Sequence, residues 1–235
     1  MKYYADLHIH SALSACAEND MTPNNIVNMS MLKGLQIISV TDHNSAANLP
    51  AVEMACRSAG LTFVPGIELT TYEEVHLLCY FKKLEHALDF SAYIYSNMPS
   101  YKNRRDIFGE QLVMNEKDEI IYEEPLLLST ASYIDFDGAV KIIKGTGGCA
   151  VPAHIDRTSY SILANLGDIP DYLDINTVEL SRDCCAEQFL KTRKSLSKYR
   201  YIVSSDAHRL GDILEMQTFF ELNELSCQKV LEYIL

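Results

Sequence analysis

Apolar runs of five to seven residues recur along the chain at 3–9, 35–41, 62–67, 75–81, 149–154, 176–180 and 201–205. Their hydrophobic positions are nearly continuous rather than alternating, which predicts strands covered on both faces, as in a parallel sheet. Between them the apolar positions repeat with helical spacing. The clearest helix starts at Thr22-Pro23, a hydroxyl cap before a proline suited to the first helical position, and runs through Ile26, Val27, Met31 and Leu32 to a stop at Gly34. Further helices are expected over 46–59, 137–144, 186–197 and 226–235. Strand–helix alternation of this kind predicts an α/β sheet covered by helices, open or closed into a barrel. The rhythm breaks over 93–130, where Leu112–Met114 and Glu119–Tyr122 flank the polar turn Asn115-Glu116-Lys117-Asp118. This reads as an insertion bearing a hairpin. Its apolar content is too small for a second core, so the chain is expected to be one domain, 1–235, with an elaborated loop.

Composition narrows the class. Of 235 residues, 48% are hydrophobic and 22% charged, which excludes disordered, collagen-like and coiled-coil chains. No run reaches 18 apolar residues and Met1–Asp6 carries no apolar leader, so a cytoplasmic protein without membrane contact is expected. The seven cysteines form no C-x-x-C pair and are expected to be thiols, with Cys56, Cys79, Cys149 and Cys227 packed among apolar neighbours. The net charge of −12 should repel phosphate backbones, which argues for a small substrate and against a long nucleic-acid track. A metal cluster would invert the charge locally, so a small anion is not excluded. The sequence carries no signal for an oligomeric state.

The informative feature is where histidines and carboxylates fall. His8 and His10 follow the first strand, Asp42-His43 ends the second, Glu68 ends the third, His76 lies in the fourth, His154 ends the next, and Asp206-Ala207-His208 follows the last. Strand C-termini form the catalytic face of parallel α/β folds. Imidazole and carboxylate are ligands for zinc, manganese and iron(II), and residues two apart on a strand project to the same side, so His8 and His10 can share an ion. Glu68 is the natural bridge between two ions, because a carboxylate has two oxygens to offer. His86, amid Leu84, Glu85 and Leu88, is read as an ordinary hydrogen-bonded core or surface residue.

Asp6-Leu7-His8-Ile9-His10-Ser11, Thr41-Asp42-His43-Asn44, Gly66-Ile67-Glu68-Leu69, Pro152-Ala153-His154 and Ser205-Asp206-Ala207-His208 resemble the ordered motifs of the polymerase-and-histidinol-phosphatase (PHP) family. The resemblance implies a distorted, TIM-like (β/α)7 barrel, two to three divalent ions (zinc, manganese or iron) and phosphoester hydrolysis. It places His8, His10, Glu68 and Asp206 on one ion, Glu68, His76 and His154 on a second, and His43 and His208 on a third. Six residues beyond His10, where many members carry Asp or His, this chain has Cys16. A thiolate binds zinc, so Cys16 is a candidate ligand of the third ion, with Glu18 and Asp20 as alternatives.

The expected chemistry is attack on phosphorus by a hydroxide bridging the ions around Glu68. Asp42 is expected either to orient a metal ligand or to donate a proton to the leaving oxygen. Arg157, three residues after His154, is the first candidate for gripping a phosphate, and Arg104 and Arg105 in the insertion are the second. Tyr160 and Tyr72 are candidates for stacking on a base or sugar. A small phosphorylated substrate such as a nucleotide, nucleoside bisphosphate or short oligonucleotide leads. Histidinol phosphate, a noncatalytic metal-binding module and amidohydrolysis are the alternatives.

Overall fold

A computed structural model describes residues 1–235 and shows a mixed α/β fold. The first half runs β1 (Lys2–Ile9), α1 (Pro23–Leu32), β2 (Ile37–Val40), α2 (Leu49–Ala59), β3 (Thr62–Phe63), β4 (Gly66–Thr70), β5 (His76–Tyr80) and α3 (Leu84–Ser96). A short α4 (Arg105–Phe108) and the hairpin β6 (Leu112–Met114) and β7 (Ile120–Glu123) form the insertion. The chain returns through α5 (Phe136–Gly145), β8 (Cys149–Pro152), α6 (Ile162–Asn165), β9 (Thr177–Ser181), α7 (Ala186–Thr192), β10 (Arg200–Ser204), β11 (Phe219–Glu221) and α8 (Cys227–Ile234).

The expected caps form. Thr22 accepts a hydrogen bond from the Asn25 amide, and Gly60 closes α2 in the left-handed conformation. Thr62–Phe63 and Gly66–Thr70 are separate strands because Pro65, between them, has no amide to give a ladder. The helix over 84–96 is additional to those expected, so the departure from regular alternation begins after it rather than at residue 93. Its buried stripe, Ala87, Phe90 and Ile94, is only three residues wide, which is why periodicity alone passes over it.

The strands pair as four sheets: β11-β1-β2-β3, β4-β5-β8, β9-β10 and β6-β7. The links β1–β2, β2–β3 and β9–β10 are parallel, as the apolar runs predict. β4–β5, β5–β8 and β1–β11 are antiparallel, a correction to the all-parallel expectation. The physical reason for the first is chain length: the five residues of 71–75 cannot make a parallel crossover, which needs a dozen or more. Single bridges at Ile9–Ala207 and His43–Glu68 join neighbouring sheets at their ends.

Both faces of the strands are covered. Ile9, Ile38, Val40, Ile67 and Leu77 pack in a large core shared with α1, α2, α3 and α5, while Ala5, Leu7, Ile37, Tyr80 and Val151 pack in a second core against α8. Cys56, Cys79 and Cys149 are buried as expected, and Cys227 is half-buried. The insertion lies against the loop after β1: the Leu112 amide donates to the Ala12 carbonyl, and Asp118 accepts from Thr22 Oγ1 and the Asn24 amide.

Gly66 starts β4 where a Cβ would sit 2.5 Å from Ser39 Oγ and 2.6 Å from Thr41 Cγ2. Gly66→Ala is therefore expected to destabilise the protein by about 1–3 kcal/mol through overpacking, read as a lowered urea midpoint at unchanged slope.

Candidate metal centre

β1 places Asp6, His8 and His10 on one side by its two-residue period, and all three are fully buried. β2 delivers Asp42 and His43 just past its end, β4 delivers Glu68, β5 opens with His76, β8 leads into His154, and β10 leads into Asp206 and His208. Glu68 is the hub. Its Oε1 lies 2.8 Å from His76 Nδ1, 3.3 Å from His8 Nε2 and 3.3 Å from His154 Nε2, and its Oε2 lies 2.9 Å from His43 Nδ1 and 3.3 Å from His10 Nε2. Asp206 Oδ1 is 3.2 Å from His8 Nε2 and 3.1 Å from His10 Nε2. His208 stacks on His10 with ring centroids 4.3 Å apart.

Three sets of ligand atoms are each mutually within 4.8 Å: His8, His10 and Glu68; His43, Glu68 and His76; and His10, His43 and His208. Glu68 belongs to two of them. His43 Nδ1, His76 Nδ1 and Glu68 Oε2 are buried yet have no hydrogen-bond partner, although imidazole and carboxylate atoms stand within 3 Å of each other. These nitrogen and oxygen atoms converge without hydrogen-bond geometry between them. A divalent cation satisfies such an arrangement, and the nitrogen–oxygen donor set suits zinc, manganese or iron(II), so the residues present fit the group.

The electrostatics agree. Burial would raise the Glu68 carboxyl, but His76, His8 and His43 outweigh it and hold it well below the usual carboxylate range. Burial works against charge on His8, yet Glu179, Asp206 and Glu68 lift its pKa well above the ordinary imidazole value. His43 is likewise raised despite burial, chiefly by Glu68. His76 goes the other way, to about 4, because burial outweighs Glu68 there.

Other carboxylates support the cluster from behind. Both oxygens of Glu179 lie against His8 Nδ1, at 3.0 and 3.2 Å, and Oε2 also accepts the His154 amide. Glu179 thereby holds the Nδ1–H tautomer of His8 and turns Nε2 toward Glu68. Sequence reasoning missed Glu179. The signal was an acidic residue inside the apolar run 176–180, where a lone charge needs a partner. Asp42 touches no imidazole; it accepts from the Ser11 amide at 2.7 Å, Ser11 Oγ at 2.6 Å and Ser14 Oγ at 2.7 Å, and Ser14 Oγ meets His10 Nδ1 at 2.9 Å. Asp6 accepts the Ser205 and Leu214 amides and so ties β1 to the segment after β10.

The remaining expected residues are spread. Arg157 reaches the mouth, with Nη1 2.7 Å from Asp206 Oδ2. Arg104 pairs with Asp106, and Arg105 with Glu110 and Glu123, so both are matched inside the insertion. Cys16 is on an exposed loop position beside the cluster. Burial of its sulfur would raise the thiol, but hydrogen bonding to His208 and His43 outweighs this and brings it to about 5. Tyr160 stacks on His76 with centroids 4.8 Å apart, whereas Tyr72 stands apart from the imidazoles. His86 lies on α3, away from the cluster. His154 and Asp206 adopt left-handed φ values of +29° and +52°, conformations that side chains other than glycine reach only at a cost and that mark functional positions in many folds.

The profile of the PHP domain family matches residues 6–177. The uncharacterized protein YqxK of Bacillus subtilis is 26% identical over 97% of this chain and 59% of its own length. Among solved structures, the lesion-specific endonuclease EndoQ of Pyrococcus furiosus superposes on 100% of this chain and 56% of its own, with TM-score 0.73 and 19% identity. A Bifidobacterium adolescentis protein inferred to be a metal-dependent phosphoesterase covers 97% of this chain and 94% of its own, with TM-score 0.63 and 18% identity. The chain thus spans little more than half the length of YqxK and of EndoQ. No helix is long and apolar enough to cross a membrane.

One expectation is corrected by these likenesses. Endonuclease Q has been solved with a 27-mer duplex carrying an abasic lesion at its active site, so this fold accommodates a nucleic-acid track. Net charge averages the whole surface and does not report the field at one face, which is why −12 misleads on this point.

Metal binding needs free lone pairs on His8 and His43, whose raised pKa values keep them protonated near neutrality when no ion is bound. Titration calorimetry at pH 7 in buffers of differing ionisation heat should therefore show proton release on zinc or manganese binding, and affinity should rise with pH. Glu179→Gln is expected to weaken metal affinity about 10–100-fold, measured by competition with a chelating dye.

Proposed function

The chain belongs to the PHP domain family, and on that premise we propose that it is a metal-dependent hydrolase of phosphoester bonds in nucleotides or nucleic acids. The observation that carries the reading is the convergence of five imidazole nitrogens on one buried carboxylate, Glu68, with Asp206 against two of the same imidazoles, His8 and His10. His8, His10, Glu68 and Asp206 would hold one ion, and Glu68, His76 and His154 a second. His43, His208 and Cys16 would hold a third. Divalent ions held there would supply charge neutralisation at the phosphoryl oxygens and an activated water.

The chain's own residues account for the rest. Arg157, anchored through one nitrogen on Asp206 and 44% exposed, keeps further N–H groups to meet a phosphate oxygen at the mouth. Asp42 serves as a positioning residue. Its two oxygens already accept three hydrogen bonds from Ser11 and Ser14 in a buried setting, so they are committed to holding that loop. Through Ser14 it fixes the ring of His10. The nucleotide class is supported by the likeness to endonuclease Q, and by the 27% identity of 28% of this chain to a 5′-3′ exoribonuclease of Haemophilus influenzae. We infer in the same way that the parallel and antiparallel sheets together form the family's distorted barrel, with 1–235 as one domain.

The test is a hydrolysis screen with Mn2+ or Zn2+ against nucleotides, oligonucleotides and histidinol phosphate. Metal-dependent activity on nucleotide substrates is expected, with a loss of about a thousandfold or more in the doubly substituted His8→Ala, His10→Ala protein. Undiminished activity in that variant would remove the cluster from the mechanism.

A further inference from the structure

The five residues of 71–75 that join β4 to β5 also form one wall of a cleft. Glu68 lies four residues before Tyr72, at most about 13 Å along the chain because β4 ends at Thr70 and a turn follows, and His76 lies two residues after Glu74. The cleft has a volume of about 390 Å3 and is lined by Tyr72, Glu73, Glu74, Pro99, Tyr101 and Tyr133 among others. The three tyrosines are 65–66% exposed, a large aromatic area to leave facing water. Their side chains make no hydrogen bond, but their backbones are pinned: Tyr72 N–H donates to the Ile134 carbonyl, Tyr133 N–H to that of Asn97, and the Tyr101 carbonyl accepts from Leu127 N–H. The rings are therefore held on fixed supports.

The same segment is tied to the metal centre. Asn44, next to His43, donates from Nδ2 to the Leu128 and Thr130 carbonyls, and the Ser132 amide donates to Thr70 at the end of the Glu68 strand. Asn165, the last residue of α6, which follows the loop that brings Tyr160 onto His76, donates to the Glu73 and Glu74 carbonyls. The walls of the cleft are thus hydrogen-bonded to the segments that carry the imidazole cluster.

Charge decides what the cleft takes. No cation faces it, and Glu74 has no ion-pair or hydrogen-bond partner for its carboxylate, so a phosphate would be repelled there. A planar, uncharged ring carrying an amino group meets both features, stacking on tyrosine faces and donating to a carboxylate. Resting on the nucleotide-hydrolase reading, we propose that the Tyr72–Tyr101–Tyr133 cleft docks a nucleobase of the substrate, an amino-bearing base such as adenine or cytosine, while the phosphoester occupies the metal centre. This makes the insertion, which supplies Pro99 and Tyr101, a specificity element.

Equilibrium dialysis of the full chain against labelled adenosine, which has no phosphate, tests the cleft without metal or turnover. Saturable binding is expected, weakened about tenfold or more per lost stacking partner in Tyr101→Ala with Tyr133→Ala, and restored by the corresponding pair of Phe substitutions. The ratio of kcat/KM for a dinucleotide to that for an aliphatic phosphoester should fall in parallel in the Ala pair. Absence of saturable adenosine binding by the wild-type chain, or equal binding by the Ala pair with its thermal midpoint preserved, overturns the proposal even if phosphoesters are hydrolysed. Binding that follows the tyrosines in a protein that hydrolyses no phosphoester upholds the cleft as a nucleobase site and fails only the hydrolase reading.

Discussion

A single buried carboxylate organises this molecule. Glu68 is taken out of water at the end of β4, and five imidazoles from β1, β2, β5 and β8 close on its two oxygens. An isolated charge in such a place is costly, and the imidazoles that close on it offset that cost and hold the carboxyl well below its usual range. Strand ends that are distant in sequence must arrive together, because no local segment supplies more than two of the groups that meet at Glu68.

Behind the imidazoles stands a set of buried acids that never face the cavity. Glu179 fixes the tautomer of His8 and catches the backbone of His154, Asp42 acts on His10 through Ser14, and Asp6 ties β1 to the chain after β10. Each accepts several hydrogen bonds, so each is tolerated in the interior and at the same time stiffens a neighbour. The left-handed backbone at His154 and Asp206 belongs to the same design: strain at the strand ends is held by the network around it.

Much of this was legible in the sequence, for a physical reason. Imidazole and carboxylate side chains at strand termini form a pattern of residue type and spacing that apolar runs do not otherwise produce, and the structure brings His8, His10, His43, Glu68, His76, His154, Asp206 and His208 into one place. The supporting acids were not legible in the same way. Asp42 was noticed only because it adjoins His43, and its hydrogen bonds run instead to Ser11 and Ser14. Glu179 sits alone in an apolar run, and its partner lies 171 residues away. Strand direction was half legible: a connection of five residues between β4 and β5 already forbids a parallel pair, whereas the antiparallel pairing of β8 with β5 spans the insertion and leaves no local trace.

The insertion grips the loop after β1 more firmly than its sparse apolar content suggests. The hydrogen of Gly109 faces the Ala15 carbonyl so closely that no side chain fits there, Asn48 is shared between Ser11 and the backbone of Leu112 and Met114, and Asp118 holds the first turn of α1. Cys16 lies within that gripped loop. The insertion is thereby mechanically coupled to the loop beside the third cluster of imidazoles. Exchange of the insertion on this scaffold cannot be modular: a chain that replaces it must also re-accommodate residues 11–24, the loop that packs beside His10, His43 and His208.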